Sequence, residues 1–394
     1  MQRVRRFTIL NGDYNMIKKM LKKTAKFSEK KPFLMVFIII VITIFAGISA
    51  TNVKSQTAFD KMLPQDDPVI ISFNEVKDEF GGGNVVIMAI KLKDSDKIDK
   101  VDDIRDPRVF ELVKYIKDTF EDSDYITSVS ASTDKIINNN NGIIPNDIAT
   151  VKEIYDNLPK EDRNKIYNRD FSMIILNLES DSGDSRAIMK EVFDKLDGAP
   201  VPDGIEVIPT GSPAMGDLMG KLMGKSQAYT TGLGLIGVLI VLFLYFRRPL
   251  SATMPLIPIL ISVVWTGGAM GLFGIPLDMA TAGMGSLLLG MGIDYGIHLM
   301  HRYEEERKNG KNIGDAIEIA VVSTGSAVFA TTATTIAGFT ALTFAPLPMM
   351  ANLGKVCALG IFFCMVAVMT LLPALLIIEE KYILPAIRKM ASTD

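Results

Sequence analysis

Six stretches of the chain are almost continuously apolar: Phe33–Ser49, Tyr229–Phe246, Leu250–Phe273, Met279–Met300, Ile319–Phe344 and Val356–Ile378. At 1.5 Å rise per residue, about 20 residues of helix cross a hydrocarbon core of ~30 Å, so each run predicts a membrane-spanning helix. Residues 51–226 follow a different rhythm, with short alternating or buried-type strands between amphipathic helices. Asn84–Leu92, Tyr125–Ala131, Phe171–Glu179 and Ile205–Thr210 read as strands, and Pro107–Phe120 and Ser185–Leu196 as helices. Asp106 has the N-cap position of the first helix and Pro107 its first turn. Asp134–Asn146, with its asparagine run, reads as a loop, and Asp147–Tyr167 as a polar helical insertion. Without the insertion the order is βαβ–βαβ, the ferredoxin-like plan. Gly211–Ser226 leads into the second span.

Composition agrees with the pattern. The 394 residues are 48% hydrophobic, and the apolar ones are concentrated in the six runs rather than spread. That excludes a soluble enzyme. The formal net charge of −3 conceals an acidic segment at 51–226, with 33 Asp and Glu against 22 Lys and Arg, and a basic remainder. Neither part has the clustered basic face of a folded nucleic-acid-binding domain. Cys357 and Cys364 lie seven residues apart in one run. On a helix that is a rise of about 10.5 Å, too far for a disulfide.

Short cytoplasmic loops hold the Lys and Arg excess, which sets orientation. The first 32 residues hold ten, Arg247 and Arg248 follow the second run, and Arg302, Arg307, Lys308 and Lys311 follow the fourth. Lys381, Arg388 and Lys389 follow the last, whereas the loops Gly274–Asp278 and Ala345–Leu353 hold none. Both termini are therefore expected on the cytoplasmic side of the cell membrane, with 51–226 outside. The expected layout is a basic tail at 1–32, a span at 33–50, an outer domain at 51–226, five spans within 227–378 and a tail at 379–394. The first run also has the form of a signal-peptide core, but its 17 residues and the 32 before it favour a retained span. Met16, Ile17, Met20 and Leu21 recur at helical spacing among lysines, which suggests an interfacial helix on anionic lipid, or else a solvated basic tail.

One ionisable residue lies deep in an apolar run: Asp294, in Gly290-Met-Gly-Ile-Asp-Tyr-Gly-Ile-His298. A mid-membrane Asp costs ~2.5–3.5 kcal/mol on insertion scales and marks a functional site by default. Low dielectric disfavours its charged form, which suits a residue that takes up and releases protons. Tyr295 beside it supplies a phenolic hydroxyl, or is an interfacial aromatic. Gly292 and Gly296 form a small-xxx-small face for a neighbouring helix or a second copy of this one. The fifth run carries hydroxyls at Thr331, Thr334 and Thr335 that either reach Asp294 or bond their own i−4 carbonyls. His298 and His301 have metal-compatible spacing but no evident third ligand. Asp278 and Glu318 fall at span ends, where water is expected to reach them. No Walker-type nucleotide motif occurs, so transport work would draw on an ion gradient or a partner.

These elements together resemble the resistance-nodulation-division superfamily, in its mycobacterial-membrane-protein-large and hydrophobe/amphiphile efflux branch. The resemblance rests on the span–domain–five-span layout, Leu63-Pro-Gln-Asp-Asp-Pro68, Phe80-Gly-Gly-Gly83, the Asp294 element followed by Arg302-Tyr-Glu-Glu305, and Ala333-Thr-Thr-Ile-Ala-Gly338. It implies an α-helical membrane protein of six transmembrane helices with an extracytoplasmic α+β, ferredoxin-like, porter-type domain. It also implies a non-enzymatic transporter without cofactor, driven by protons and exporting hydrophobic or amphiphilic molecules such as lipids. In that family the matching pair is the proton relay, which places the role on Asp294 and Tyr295. The length matches half of the usual twelve-span arrangement, so a homodimer is expected to restore it. Sodium coupling, an accessory subunit of the protein-export translocon, and a lipid-sensing membrane protein without transport are the competing readings.

Overall fold

A computed structural model describes the backbone of residues 2–58, 60–80, 84–246 and 253–385, and the side chains of these except residues 2–14 and 77–80. The triglycine at 81–83, the Arg247–Arg248 pair and the basic pair Arg388 and Lys389 lie outside the described residues. The chain divides into two compact units, residues 57–221 and residues 1–56 together with 222–394.

The first of these is α+β. Its strands β1 (Asn84–Leu92), β2 (Ser128–Ala131), β3 (Met173–Ser180) and β4 (Ile205–Gly211) form one sheet in the order β2-β3-β1-β4, with every neighbouring pair antiparallel. The sheet interleaves two β-α-β crossovers, β1–α4 (Pro107–Phe120)–β2 and β3–α8 (Ser185–Leu196)–β4, each split by a strand of the other. Val86, Met88 and Ile90 of β1 alternate into the core beside Ile174, Leu176 and Leu178 of β3. Helix α4 (Pro107–Phe120) buries Val109, Phe110, Leu112, Val113, Ile116 and Phe120 on the same core. Its Arg108 N–H donates to the Asp106 cap at 2.9 Å, as the sequence pattern requires. Helix α8 (Ser185–Leu196) adds Ile188, Met189 and Val192.

Three details of this unit differ from expectation. The tract read as a loop opens with a helix, α5 (Asp134–Asn139), held because Ile136 is fully buried and Asp134 accepts from Ala131 N–H at 2.9 Å. The insertion is two helices, α6 (Ile148–Asn157) and α7 (Lys160–Ile166), because Pro159 drives Leu158 into extended backbone. The expected strand at 125–131 begins only at Ser128. A further helix, α3 (Pro68–Phe80), precedes β1.

The other unit is helical. After α1 (Gln2–Lys30) come α2 (Pro32–Ala50), α9 (Ser212–Phe246), α10 (Leu256–Phe273), α11 (Met284–Lys308), α12 (Ile313–Leu342) and α13 (Pro348–Ile378), the last closed by a π turn at Glu379–Ile383. Among the described residues, five helices are long and apolar enough to cross a membrane: α2, α9, α10, α12, and α13 with its π turn. The expected fourth span, α11, has the length but not the composition, since it carries Asp294 and its last turns are charged. The segment read as a lead-in at 211–226 is itself helix from Ser212 on: Pro213 falls in the first turn, where a missing N–H is harmless, and nothing after it breaks α9.

Close packing joins α2 to α10. A Cβ on Gly268 would stand 2.7 Å from Ala46 Cα, and one on Gly271 would overlap Ser49 O. Ser49 Oγ donates to Gly268 O at 2.8 Å, and Trp265 Nε1 donates to Thr43 Oγ1 at 2.9 Å. Helix α1 is seated on the bundle by part of the expected stripe. Leu21 packs into the helical core and Ala25 is buried, whereas Met16 and Met20 point outward.

Candidate functional site

Helix α11 has two unlike faces. Leu288, Leu289, Gly292, Ile293, Tyr295, Gly296 and Leu299 are buried, whereas Leu287, Gly290, Asp294, His298 and His301 are exposed. Asp294 therefore stands on the outer face, with roughly 15 Å of helix before it and roughly 21 Å after it. It opens into a cleft of about 750 Å³ between α11 and α12, which Tyr295, His298, His301 and Arg302 also line. Ser323, Thr324, Thr331 and Thr335 form the opposite, hydroxyl-rich wall. Among the described residues no side chain hydrogen-bonds Asp294. A carboxylate so placed can bind a proton or cation and meet water without breaking a protein contact.

Tyr295 turns the other way, 8% exposed, with its hydroxyl in the electrostatic neighbourhood of Thr332, Cys364 and Asp294. Thr332 Oγ1 is buried without a partner at hydrogen-bond distance. Sequence reasoning passed over Thr332, because one more threonine in a threonine-rich helix carries no distinguishing signal.

The other expected residues divide. Thr331 and Thr335 share the cleft with Asp294, whereas Thr334 does not line it. All three donate to backbone carbonyls: Thr331 to Val328 O at 3.0 Å, Thr334 and Thr335 to Thr331 O at 2.8 and 2.9 Å. Their donors are spent locally, while their oxygens can still accept a hydrogen bond from water. Gly292 and Gly296 face the bundle, not a second copy of α11. A Cβ on Gly292 would fall on Cys364 Sγ, and one on Gly296 would stand 2.7 Å from Pro255 Cβ. They are packing residues that let α11 approach α13 and the start of α10.

Asp278 is not at a wetted span end: it is 1% exposed. Its Oδ1 accepts from Ala280 N–H at 3.0 Å, Thr281 N–H at 2.9 Å and Thr281 Oγ1 at 3.1 Å, and its Oδ2 from Asn352 Nδ2 at 3.1 Å. This knot ties the α10–α11 connection to α13. Glu318 is paired with Lys22 at 2.7 Å. At the far end of α11, Tyr303 and Arg307 converge on Glu380. That cluster was not legible in the sequence, since Arg307 and Glu380 are 73 residues apart and neither lies in an apolar run. His298 and His301 line the cleft mouth, and no group of three or more metal-type ligands occurs among the described residues.

Apolar helices of spanning length, packed into one unit around a helix with a mid-length carboxylate, define a multi-pass helical membrane protein. The chain belongs to the MMPL family, which it matches over residues 147–392. It is 61% identical over 379 residues to a membrane protein of Methanocaldococcus jannaschii, covering 95% of this chain and 98% of that one. It is 27% identical over 271 residues to the transport protein MmpL12 of Mycobacterium tuberculosis, covering 62% of this chain and 24% of the relative. With the sulfolipid-1 exporter MmpL8 of Mycobacterium tuberculosis it shares 27% identity over 148 residues, 36% of this chain and 14% of the relative. The chain thus matches about a quarter or less of the length of these mycobacterial proteins, and nearly all of the archaeal one.

Proposed function

We propose that the protein is a secondary active transporter that exports hydrophobic or amphiphilic molecules such as lipids, driven by the proton motive force. The observation that carries this reading is Asp294: an exposed carboxylate near the middle of α11, free of side-chain hydrogen bonds among the described residues, beside a hydroxyl-lined cleft. In this reading α11 is the fourth of six spans, Asp294 takes up and releases a proton, and Tyr295 relays it toward Thr332. Charged, Asp294 draws water into the cleft; neutral, it lets α11 and α12 close. One charge crossing the membrane contributes ~2.3 kcal/mol per 100 mV, enough to drive uphill movement of a substrate. The export of a lipid is supported by the name of the related sulfolipid-1 exporter.

The reading places residues 51–226 outside the cell as a porter-type domain and both termini in the cytoplasm, on the distribution of Lys and Arg. It makes the working unit a homodimer. An Asp facing acyl chains costs ~2.5–3.5 kcal/mol, so a second copy covers the outer face of α11. The neighbouring outer face of α12 is small, with Ser323, Ala327, Ala330 and Thr334, and admits close approach.

The test is proton flux in proteoliposomes under an imposed pH gradient, with and without sodium. The wild type should carry protons and Asp294→Asn should not, with the same elution profile and dimer mass. Unchanged flux in that variant, or flux that requires sodium, would overturn the proton-coupled mechanism.

A further inference from the structure

Helix α1 is two-sided, and only one side is used by the bundle. On that side Leu21 lies against Gly325 of α12, where an added Cβ would stand 2.9 Å from Leu21 Cδ1. Ala25 and Ser28 are buried, and Lys22 Nζ lies 2.7 Å from Glu318 Oε1 of α12. The Glu29 carboxylate packs on Gly314 in the first turn of α12, where unsatisfied N–H groups favour negative charge.

The outward side repeats at three- and four-residue spacing and mixes two chemistries. Met16, Met20 and Phe27 are 58%, 63% and 38% exposed, and Lys19, Lys23 and Lys30 are exposed among them. Glu29 is the sole acidic residue from 15 to 31, and it faces the bundle. The helix ends at Lys30, and the apolar α2 starts at Pro32, so α1 ends where a membrane surface begins.

We infer that the outward face of α1 is a docking surface for an anionic lipid bilayer, and that lipid held there braces α12. The methionines and Phe27 suit the acyl boundary, while lysine stems lie along it and lift their ammonium groups to headgroup phosphates. A neutral bilayer would satisfy the apolar residues and leave the lysines without counter-charge, so the match is to anionic lipid. Because Gly325 adjoins Thr324, which lines the Asp294 cleft, the Leu21 contact sits behind a wall of that cleft. The inference concerns α1 alone and stands whether or not Asp294 carries protons.

The experiment uses the full chain in nanodiscs of phosphatidylcholine, alone or with one third phosphatidylglycerol. Hydrogen exchange over residues 15–31 should slow when phosphatidylglycerol is present. Phosphatidylglycerol retained in native mass spectra should fall about five-fold for each of Lys19→Gln, Lys23→Gln and Lys30→Gln. Replacing Lys114, Lys160 or Lys190 by Gln, one at a time, makes the same charge change in the α+β unit and should leave retention unaltered. Exchange indifferent to phosphatidylglycerol, wild-type retention in the Lys19, Lys23 and Lys30 variants, or equal loss in the control would each overturn the inference.

Discussion

Two aspartates stand 16 residues apart on one stretch of chain and have opposite surroundings. Asp278 is sealed, with three donors on one oxygen and Asn352 on the other. Asp294 is open, on the outer face of α11, with a cleft before it. The first has its lone pairs committed to holding a loop and two helices together, so it can gain a proton only by losing structure. The second can change charge at no cost in protein contacts. Proximity to an apolar run does not by itself tell a sealed carboxylate from an open one; the number of donors already aimed at it does.

The contrast can be broken most decisively at Asp294. Asp294→Asn should reduce proton flux in proteoliposomes by at least about 100-fold, on the scale of lost general acid–base groups, and leave the thermal unfolding profile unmoved. A large loss of stability would show that the open carboxylate is structural after all. Asp278→Ala should do the reverse, destabilising the bundle by about 3 kcal/mol, because it strands buried donors of Ala280, Thr281 and Asn352. Denaturation in mild detergent measures it, and a neutral result would dissolve the distinction drawn here.

The buried and open faces of α11 offer a second pair. Gly296→Val should cost about 2 kcal/mol, since its Cβ meets Pro255, whereas Gly290→Ala, with nothing within 4 Å, should be close to neutral for protomer stability. Tyr295→Phe should slow flux about ten-fold without moving Asp294, consistent with one link of a relay rather than its origin.

The smallest effect belongs to a third kind of carboxylate, half-open and paired. The Arg105 guanidinium beside Asp103, at 2.8 Å, holds that carboxyl below the usual carboxylate range. Its folded value is depressed, so its stabilisation is present above the unfolded value of about 3.9 and fades as pH falls through the lower, folded value. Arg105→Ala should speed hydrogen exchange in α4 at neutral pH by a factor equivalent to about 1 kcal/mol, with the difference from wild type vanishing in strong acid.

Much of this architecture was legible because its signals are local. Alternating Val86, Met88 and Ile90, the Asp106–Pro107 start and the long apolar runs each declare an element within a dozen residues. The lone charge at Asp294 likewise stands out within its own run. What escaped was set by partners remote in sequence. Asn352 seals Asp278 across 74 residues. Pro255 and Cys364 decide which way Gly292 and Gly296 face, and Glu380 gathers Tyr303 and Arg307. Helical periodicity cannot say which face of α11 turns outward when glycines fall on both, Gly290 on the face of Asp294 and Gly292 and Gly296 on the other. The α1 stripe divides for a similar reason: Leu21 and Met20 are adjacent, but only one meets a glycine.

The glycine seam between α2 and α10 has a mechanical consequence. Backbones pressed together at Gly268 and Gly271, and pinned by Ser49 and Trp265, cannot slide or rotate past each other without breaking steric contact and hydrogen bonds at once. The two helices form a girder, and any rearrangement that opens or shuts the bundle must pivot against it.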